Sequence, residues 1–201
     1  TEEGEVIYAR VGISAVSIEN ARKNLEQEQP DFNFEKVKSN AVYAWNNELN
    51  KIDIESTDEA SKQKFYTALY HCMVSPNMYM DVDGSYRGRD FQVHQTPSFN
   101  YYTVFSLWDT YRALHPLLTL IDKERSSDFI NTFITQFEQG GRLPVWELSS
   151  CETNCMIGYH AVPVIAEAFM KDVKNFDQEK AFAAMKNSAM EDRNGLRSYK
   201  E

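Results

Sequence analysis

Residues 102–120 read YTVFSLWDTYRALHPLLTL, a strongly apolar stretch that predicts a buried helix over its whole length, bent or broken at its proline. Trp108, Asp109 and Arg112 interrupt the apolar pattern. Because Asp109 and Arg112 are three residues apart, they share one face of that helix. The spacing is compatible with an intrahelical ion pair beside a core tryptophan. It is also compatible with a helix that faces a polar cavity, since burying these groups elsewhere is costly.

Helical spacing continues on both sides of this stretch. The predicted helices run from Ser17 to Glu28, from Phe34 to Leu49, from a Ser56–Asp58 cap to Pro76, from Lys123 to Gln139 before Gly140-Gly141, from Ile157 to Val173, and from Gln178 to Met190. Two long polar loops, 76–100 and 142–156, lie between them. Loops of this length are uncommon unless they are functional. The pattern predicts a mainly α fold of helical hairpins around an axis, with its loops gathered at one end.

One segment near the N-terminus has a different pattern. Val6–Val16 is β-branched and roughly alternating, which predicts a strand, and the only other strand-like run is Ile52–Ile54. A lone strand cannot satisfy its backbone, so we expect partner strands upstream of this sequence.

Composition excludes several classes of function. The 201 residues contain 21 Lys and Arg against 30 Asp and Glu, a net charge of −9. A general nucleic-acid partner is not expected, because binding to phosphates needs a basic face. No run of ~18 apolar residues is present, so no membrane span is expected. With 42% hydrophobic and 25% charged residues, the chain has the composition of a folded globular domain.

Metal-binding patterns are weak. Cys151, Cys155 and His160 invite a zinc interpretation, but a fourth ligand is not evident. The run DVDGSYRGRD at 81–90 suggests a calcium loop, yet its glycine falls at position 4 instead of 6 and position 12 is Gln92. No metal ligand is therefore assigned. The run is compatible with a solvated turn or with a sugar-binding cleft, where guanidinium and carboxylate groups lie beside aromatic rings.

Two carboxylates in the second loop are candidates for acid and base chemistry. Glu147 and Glu152 flank a short turn after Trp146, as a pair for glycoside hydrolysis could. Carboxylate pairs in loops are common, so the pattern alone carries little weight. His71 and His115 are predicted to be core residues.

Beyond these patterns, four segments resemble glycoside hydrolase family 92, the calcium-dependent exo-acting α-mannosidases. They are FYTALYHCMVSPNMYMDVDGSYRGRD (65–90), TVFSLWDTYRALHPLLTLI (103–121), GGRLPVWEL (140–148) and ETNCMIGYHAVPVIAEAF (152–169). VGISAVSIENARKNLEQE (11–28) resembles the last strand and linker of that family's N-terminal β-sandwich. One departure stands at Ser150-Cys151, where the family commonly has Gly-Asn.

The resemblance implies a fragment of such an enzyme, in which the last strand of a truncated β-sandwich precedes the first part of an (α/α)6 barrel. Residues 1–18 would be the sandwich strand, 19–57 a helical linker and 58–201 the N-terminal half of the barrel. The implied substrate-binding residues are Asp83, Arg87, Asp90, Trp108, Asp109, Arg112, Trp146, Glu147, Glu152, Thr153 and His160.

The resemblance also implies hydrolysis of α-linked mannose, with α-1,2 as the expected linkage, by a calcium-dependent inverting mechanism in an exported protein. The catalytic acid and base and the Ca²⁺ ligands are expected outside this chain, so no catalytic residue is assigned and the isolated piece is expected to be inactive. Mannose-containing glycans are the expected partners. Uncovered helix faces predict self-association. The alternative is a non-catalytic carbohydrate-binding or interaction module.

Overall fold

The structure is a computed structural model that describes residues 4–96 and 98–191. Its helices are α1 (Ile18–Glu28), α2 (Phe34–Leu49), α3 (Glu59–Cys72), α4 (Leu107–Thr110), α5 (Leu114–Ile121), α6 (Lys123–Gly140), α7 (Ala161–Met170) and α8 (Gln178–Met190). Its strands are β1 (Asn77–Met78), β2 (Ser85–Arg87), β3 (Val93–Gln95), β4 (Tyr102–Thr103), β5 (Phe105–Ser106), β6 (Trp146–Leu148) and β7 (Cys151–Glu152). The predicted mainly α class is confirmed. The barrel and the domain boundaries stay predictions.

Helix ends follow local signals that are visible in the sequence. Side chains of Ser17, Asp58 and Asp177 accept hydrogen bonds from first-turn amides of α1, α3 and α8. At the other end of α6, Gly141 has a φ of 71°, a left-handed conformation that costs glycine little. These ends match the predicted caps because capping depends on neighbouring residues alone.

The continuous helix predicted over residues 102–120 is wrong. Tyr102–Thr103 and Phe105–Ser106 are strands, separated by Val104 at a φ of 69°, and helix is confined to α4 and α5. The physical reason is tertiary pairing, because β4 pairs with β1 and β5 pairs with β6. Hydrogen bonds to strands distant in the sequence override the apolar helical pattern at this point.

The strand predicted at Val6–Val16 is also absent. The structure assigns no strand to this segment, and residues 4–96 and 98–191 supply no strand that pairs with it. Its apolar side chains are exposed, including Ile13 at 81%. Ile52–Ile54 likewise forms no strand. The expected partner strands upstream stay a prediction.

The hydrophobic core lies among α5, α6, α7 and α8. Its fully buried side chains include Phe105, Leu118, Phe129, Ile130, Phe133, Leu143 and Ile165. His115 is also buried, and its ring packs edge-on against those of Phe129 and Phe133. The prediction that His115 is a core residue is confirmed, and burial lowers its pKa to about 4. The same prediction for His71 is wrong, because His71 lies on an exposed position of α3. None of the described helices is both long and apolar enough to cross a membrane.

Candidate functional site

A three-stranded antiparallel sheet joins the apolar stretch to the second polar loop. The sheet has the order β5-β6-β7. Phe105 lies opposite Glu147 and Ser106 lies opposite Trp146, while Glu147 in turn lies opposite Glu152. Residues that are about forty positions apart in the sequence therefore lie side by side in one sheet.

Strand alternation separates the two faces of this sheet. Successive side chains along β6 point to opposite faces, so Trp146 and Glu147 cannot both face the same space. Glu147 is fully buried, as is its partner Phe105. Trp146 is half-buried and lies beside Ser106, whose hydroxyl donates a hydrogen bond to the carboxylate of Asp109.

The residues after β5 form the exposed part of the site. Trp108 is 40% exposed, and Asp109 and Arg112 are exposed beside it. Arg112 Nε donates to Tyr111 Oη at 2.8 Å, so Asp109 and Arg112 bind different partners and do not form the ion pair that their spacing allowed. The ring of Tyr111 lies 4.5 Å from the ring of His160. The apolar stretch and the start of α7 therefore meet here.

Glu147 is enclosed by hydrogen-bond donors. The Thr103 hydroxyl lies 3.0 and 2.9 Å from its two oxygens, and the Ser150 amide donates to Oε1 at 2.7 Å. Burial raises the pKa of Glu147 to about 7, although the bonds from Ser150 and Thr103 favour its charged form. That Glu147 contacts substrate stays a prediction. Its side chain lies in the protein interior.

Glu152 binds the backbone of its own hairpin. Its two carboxylate oxygens accept hydrogen bonds from the amides of Val145 at 2.8 Å and Trp146 at 2.9 Å. Arg89 Nη2 lies 4.0 Å from Oε2. Both oxygens of this carboxylate are engaged by backbone amides beside a guanidinium, so the arrangement does not resemble that of a proton donor.

The turn between β6 and β7 has an unusual sequence for its conformation. Ser149 and Ser150 have φ values of 48° and 72°, the left-handed region that two-residue hairpin turns require. Asn-Gly is the usual pair there, because most residues are strained at positive φ. The Ser150 hydroxyl donates to the carbonyl of Arg87, which ties the turn to β2.

Thr153 follows this hairpin and is exposed. Its amide and its hydroxyl both bond to the carbonyl of Trp146, at 3.1 and 2.9 Å. Thr153 and Trp146 are therefore held together. Cys151 and Cys155 are free and exposed.

The predicted residues of the 81–90 loop bind protein groups. Arg87 donates to the carbonyls of Ala15 and Val16, at 2.8 and 3.4 Å. Asp83 accepts from Lys23 Nζ at 3.0 Å, and bonds from Ser85 and Lys23 lower its pKa to about 2. These two residues connect the loop to the N-terminal segment.

The third predicted residue of that loop, Asp90, binds within the loop itself. Its carboxylate lies 2.9 Å from His94 Nε2 and accepts a bond from the Gln92 amide at 3.0 Å. The sequence does not distinguish a ligand contact from these local contacts, because both use the same charged side chains.

Sequence reasoning missed the most buried carboxylate of the loop. Asp81 is 5% exposed and accepts hydrogen bonds from Ser14 Oγ at 2.7 Å, Asn20 Nδ2 at 2.9 Å and Asn24 Nδ2 at 2.7 Å. Thr103 and Arg89 were missed as well. None of them carries a sequence signal beyond its charge or hydroxyl group.

No cation site is evident in residues 4–96 and 98–191, where no three His, Cys, Asp or Glu side chains are grouped as metal ligands. The carboxylate oxygens of Asp81 and Asp83 already accept hydrogen bonds from N–H and O–H groups of the protein. Donors at these positions stabilise the carboxylates and occupy the places where a metal ion would bind. The described residues therefore offer no calcium site, and a calcium ion with ligands outside this chain stays an expectation.

Comparison with known proteins places this geometry in a family. The sequence profile "Glycosyl hydrolase family 92 catalytic domain" matches residues 20–201. An "uncharacterized secreted glycosidase" from Arthroderma benhamiae is 28% identical over 207 residues, covering 96% of this chain and 22% of the relative.

Solved structures agree with the profile. The GH92 α-mannosidase BT3965 from Bacteroides thetaiotaomicron is 40% identical with a TM-score of 0.88, covering 94% of this chain and 26% of that one. BT3965 has also been solved in complex with mannoimidazole. The GH92 inverting mannosidase BT2199 from the same organism is 31% identical with a TM-score of 0.79, covering 85% of this chain and 23% of that one. The chain spans about a quarter of these relatives, and it belongs to glycoside hydrolase family 92.

Proposed function

We propose that the protein is an exo-acting α-mannosidase of exported location, and that this chain supplies part of its mannose subsite. The single observation that carries the proposal is the β5-β6-β7 sheet, which brings Trp146 beside Ser106 and the exposed Trp108–Arg112 segment. The α-mannosidase BT3965, at 40% identity, supports the substrate class. The secreted relative supports export.

This surface has the chemistry that a sugar needs. A pyranose presents an apolar ring face and several hydroxyl groups, so it binds where an aromatic side chain lies beside charged hydrogen-bonding groups. Trp108 supplies an aromatic side chain that is 40% exposed. Asp109 and Arg112 supply an acceptor and a donor, both exposed. We assign ligand contact to these three residues first.

The proposed reaction is hydrolysis with inversion, as the name of BT2199 states for that relative. Such enzymes use one carboxylic acid to protonate the leaving oxygen and one carboxylate to activate water. Glu147 and Glu152 are engaged with backbone amides, so we place the acid and the base outside the described residues. Calcium dependence and α-1,2 specificity belong to the same proposal, with calcium ligands outside these residues.

Turnover of α-1,2-mannobiose by the full-length protein tests the assignment. We expect Asp109→Asn and Trp108→Ala each to lower kcat/KM by about 100-fold, because a misplaced or unbound sugar rarely reaches its reactive geometry. Asp31→Asn is the matched control, since Asp31 is exposed and, within the part of the chain that the structure describes, bonds to Lys36 and to its own turn. Unchanged kcat/KM in both site variants would contradict the proposed subsite.

A further inference from the structure

The two backbone amides of the β6–β7 turn donate hydrogen bonds to two buried side chains, Thr103 and Glu147. The Ser150 amide donates to Glu147 Oε1 at 2.7 Å, and the Ser149 amide donates to Thr103 Oγ1 at 2.6 Å. The Thr103 hydroxyl in turn lies within 3.0 Å of both Glu147 oxygens, so it donates to Glu147 while it accepts from Ser149. Glu147 is thus the final acceptor for the whole turn.

These bonds explain how two serines adopt left-handed conformations. A left-handed conformation is unfavourable for residues other than glycine, and here two such residues are adjacent, at φ values of 48° and 72°. A bond from each amide to a buried charged or polar acceptor acts in the opposite direction and stabilises the turn. Glu147 and Thr103 therefore substitute for the Asn-Gly pair that normally specifies such a turn.

The turn is connected to the exposed residues of the site. The hairpin leads directly from Ser150 through β7 to Thr153, which is bonded to Trp146. Ser150 is also bonded to Arg87 of β2. A change in the turn would therefore displace Trp146 and Thr153 together, and would loosen the hairpin from the 81–90 loop.

We propose that Glu147 is a positioning residue, which acts on sugar binding through the Ser149–Ser150 turn and not by contact with the sugar. This inference rests on the proposed function. Direct contact is opposed by the full burial of Glu147 and by its place opposite Phe105 on the inner face of the sheet. Thr103 and Gln136 lie against its carboxyl group on that face, and Arg89 is the nearby positive charge.

A rescue experiment in the full-length protein separates the two roles. Glu147→Ala removes the acceptor, and we expect it to lower kcat/KM for α-1,2-mannobiose by about 100-fold through displacement of the hairpin. Adding Ser149→Asn and Ser150→Gly to this variant gives the turn its preferred sequence without restoring a carboxylate. We expect this triple variant to recover to within about tenfold of wild type.

One further variant and one further measurement keep the test independent of folding and of the proposed activity. Glu147→Gln retains an acceptor for the Ser150 amide, so its kcat/KM should stay within about threefold of wild type. Hydrogen exchange across residues 146–153 should speed up in Glu147→Ala and slow again in the triple variant. If the wild-type protein lacks mannosidase activity, the proposed function is wrong. The effect of Glu147 on the turn is then still tested by hydrogen exchange.

Three results would overturn the positioning role. One is wild-type kcat/KM in Glu147→Ala. Another is a Glu147→Gln loss as large as that of Glu147→Ala. The last is a triple variant with restored exchange protection but no recovered activity, which would mean that the carboxyl group itself contacts the ligand.

Discussion

Glu147 and Glu152 lie directly opposite each other on β6 and β7, yet their carboxyl groups serve different parts of the hairpin. Glu147 accepts from the turn at one end, and Glu152 accepts from the amides of Val145 and Trp146 at the other. Like charges directly opposite on a strand pair are destabilising. Arg89, 4.0 Å from Glu152, and the raised pKa of Glu147 both reduce that repulsion.

The buried carboxyl group of Glu147 predicts a stability that falls as pH rises. Its pKa is 4.5 in an unfolded chain and about 7 in the fold. Its contribution is therefore complete below pH 4.5 and is lost as pH rises through 7, a change of about 3 kcal/mol. Urea unfolding of wild type and Glu147→Gln across this window measures the difference. Parallel curves for the two proteins would contradict a protonated Glu147.

His115 predicts the opposite dependence on pH. Burial lowers its pKa from 6.5 to about 4, so its contribution is present above pH 6.5 and is lost as pH falls through 4. Between pH 6.5 and 4, we expect the free energy of unfolding of His115→Leu to fall by about 3 kcal/mol less than that of the wild type. His71→Asn is the control, because His71 is exposed. The same acid loss in His115→Leu and wild type would show that His115 does not titrate there.

The bonds around Asp81 predict that the N-terminal segment is fastened to the 81–90 loop by this residue. Asp81→Ala removes a charged acceptor from the Ser14 hydroxyl and from the side-chain amides of Asn20 and Asn24, so we expect a loss of about 3 kcal/mol in the free energy of unfolding. Asp31→Ala, at an exposed pair, should leave the free energy of unfolding nearly unchanged. Equal effects of the two substitutions, measured by urea unfolding, would contradict the account.

The apolar surface between α7 and α8 predicts self-association of the 201-residue chain. A groove of about 570 Å³ lies there, and Phe169, Met170 and Phe182 beside it are 52%, 80% and 66% exposed. Exposed apolar patches favour association. Sedimentation velocity should show oligomers that Phe182→Glu disperses and that Tyr43→Glu, on α2, leaves intact. A wild-type chain that is monomeric at every concentration would refute this prediction.

Some parts of the fold follow from local sequence and others do not. Ser17 and Gly141 mark helix ends through contacts with their immediate neighbours, and these were predictable. The strand Phe105–Ser106 was predicted as helix, because its partner β6 lies about forty residues away and pairing at that distance leaves no periodic signal.

The site shows the same division. Trp108 and Asp109 were recognisable because a charged and an aromatic residue interrupt an apolar stretch, and both are exposed. The roles of Glu147 and Thr103 were not recognisable, because strand alternation turns Glu147 inward only once the register with Phe105 is known. Charge in a loop sequence does not reveal the direction in which the side chain points.

Proton NMR of α-1,2-mannobiose with the full-length protein, and then with the 201-residue chain alone, tests the proposed mannosidase activity. We predict that the full-length protein releases mannose first as the β-anomer, because inversion converts an α-linkage to a β-product. We also predict no release by the 201-residue chain. Absence of release by the full-length protein, α-mannose as its first product, or release by the 201-residue chain would contradict the account.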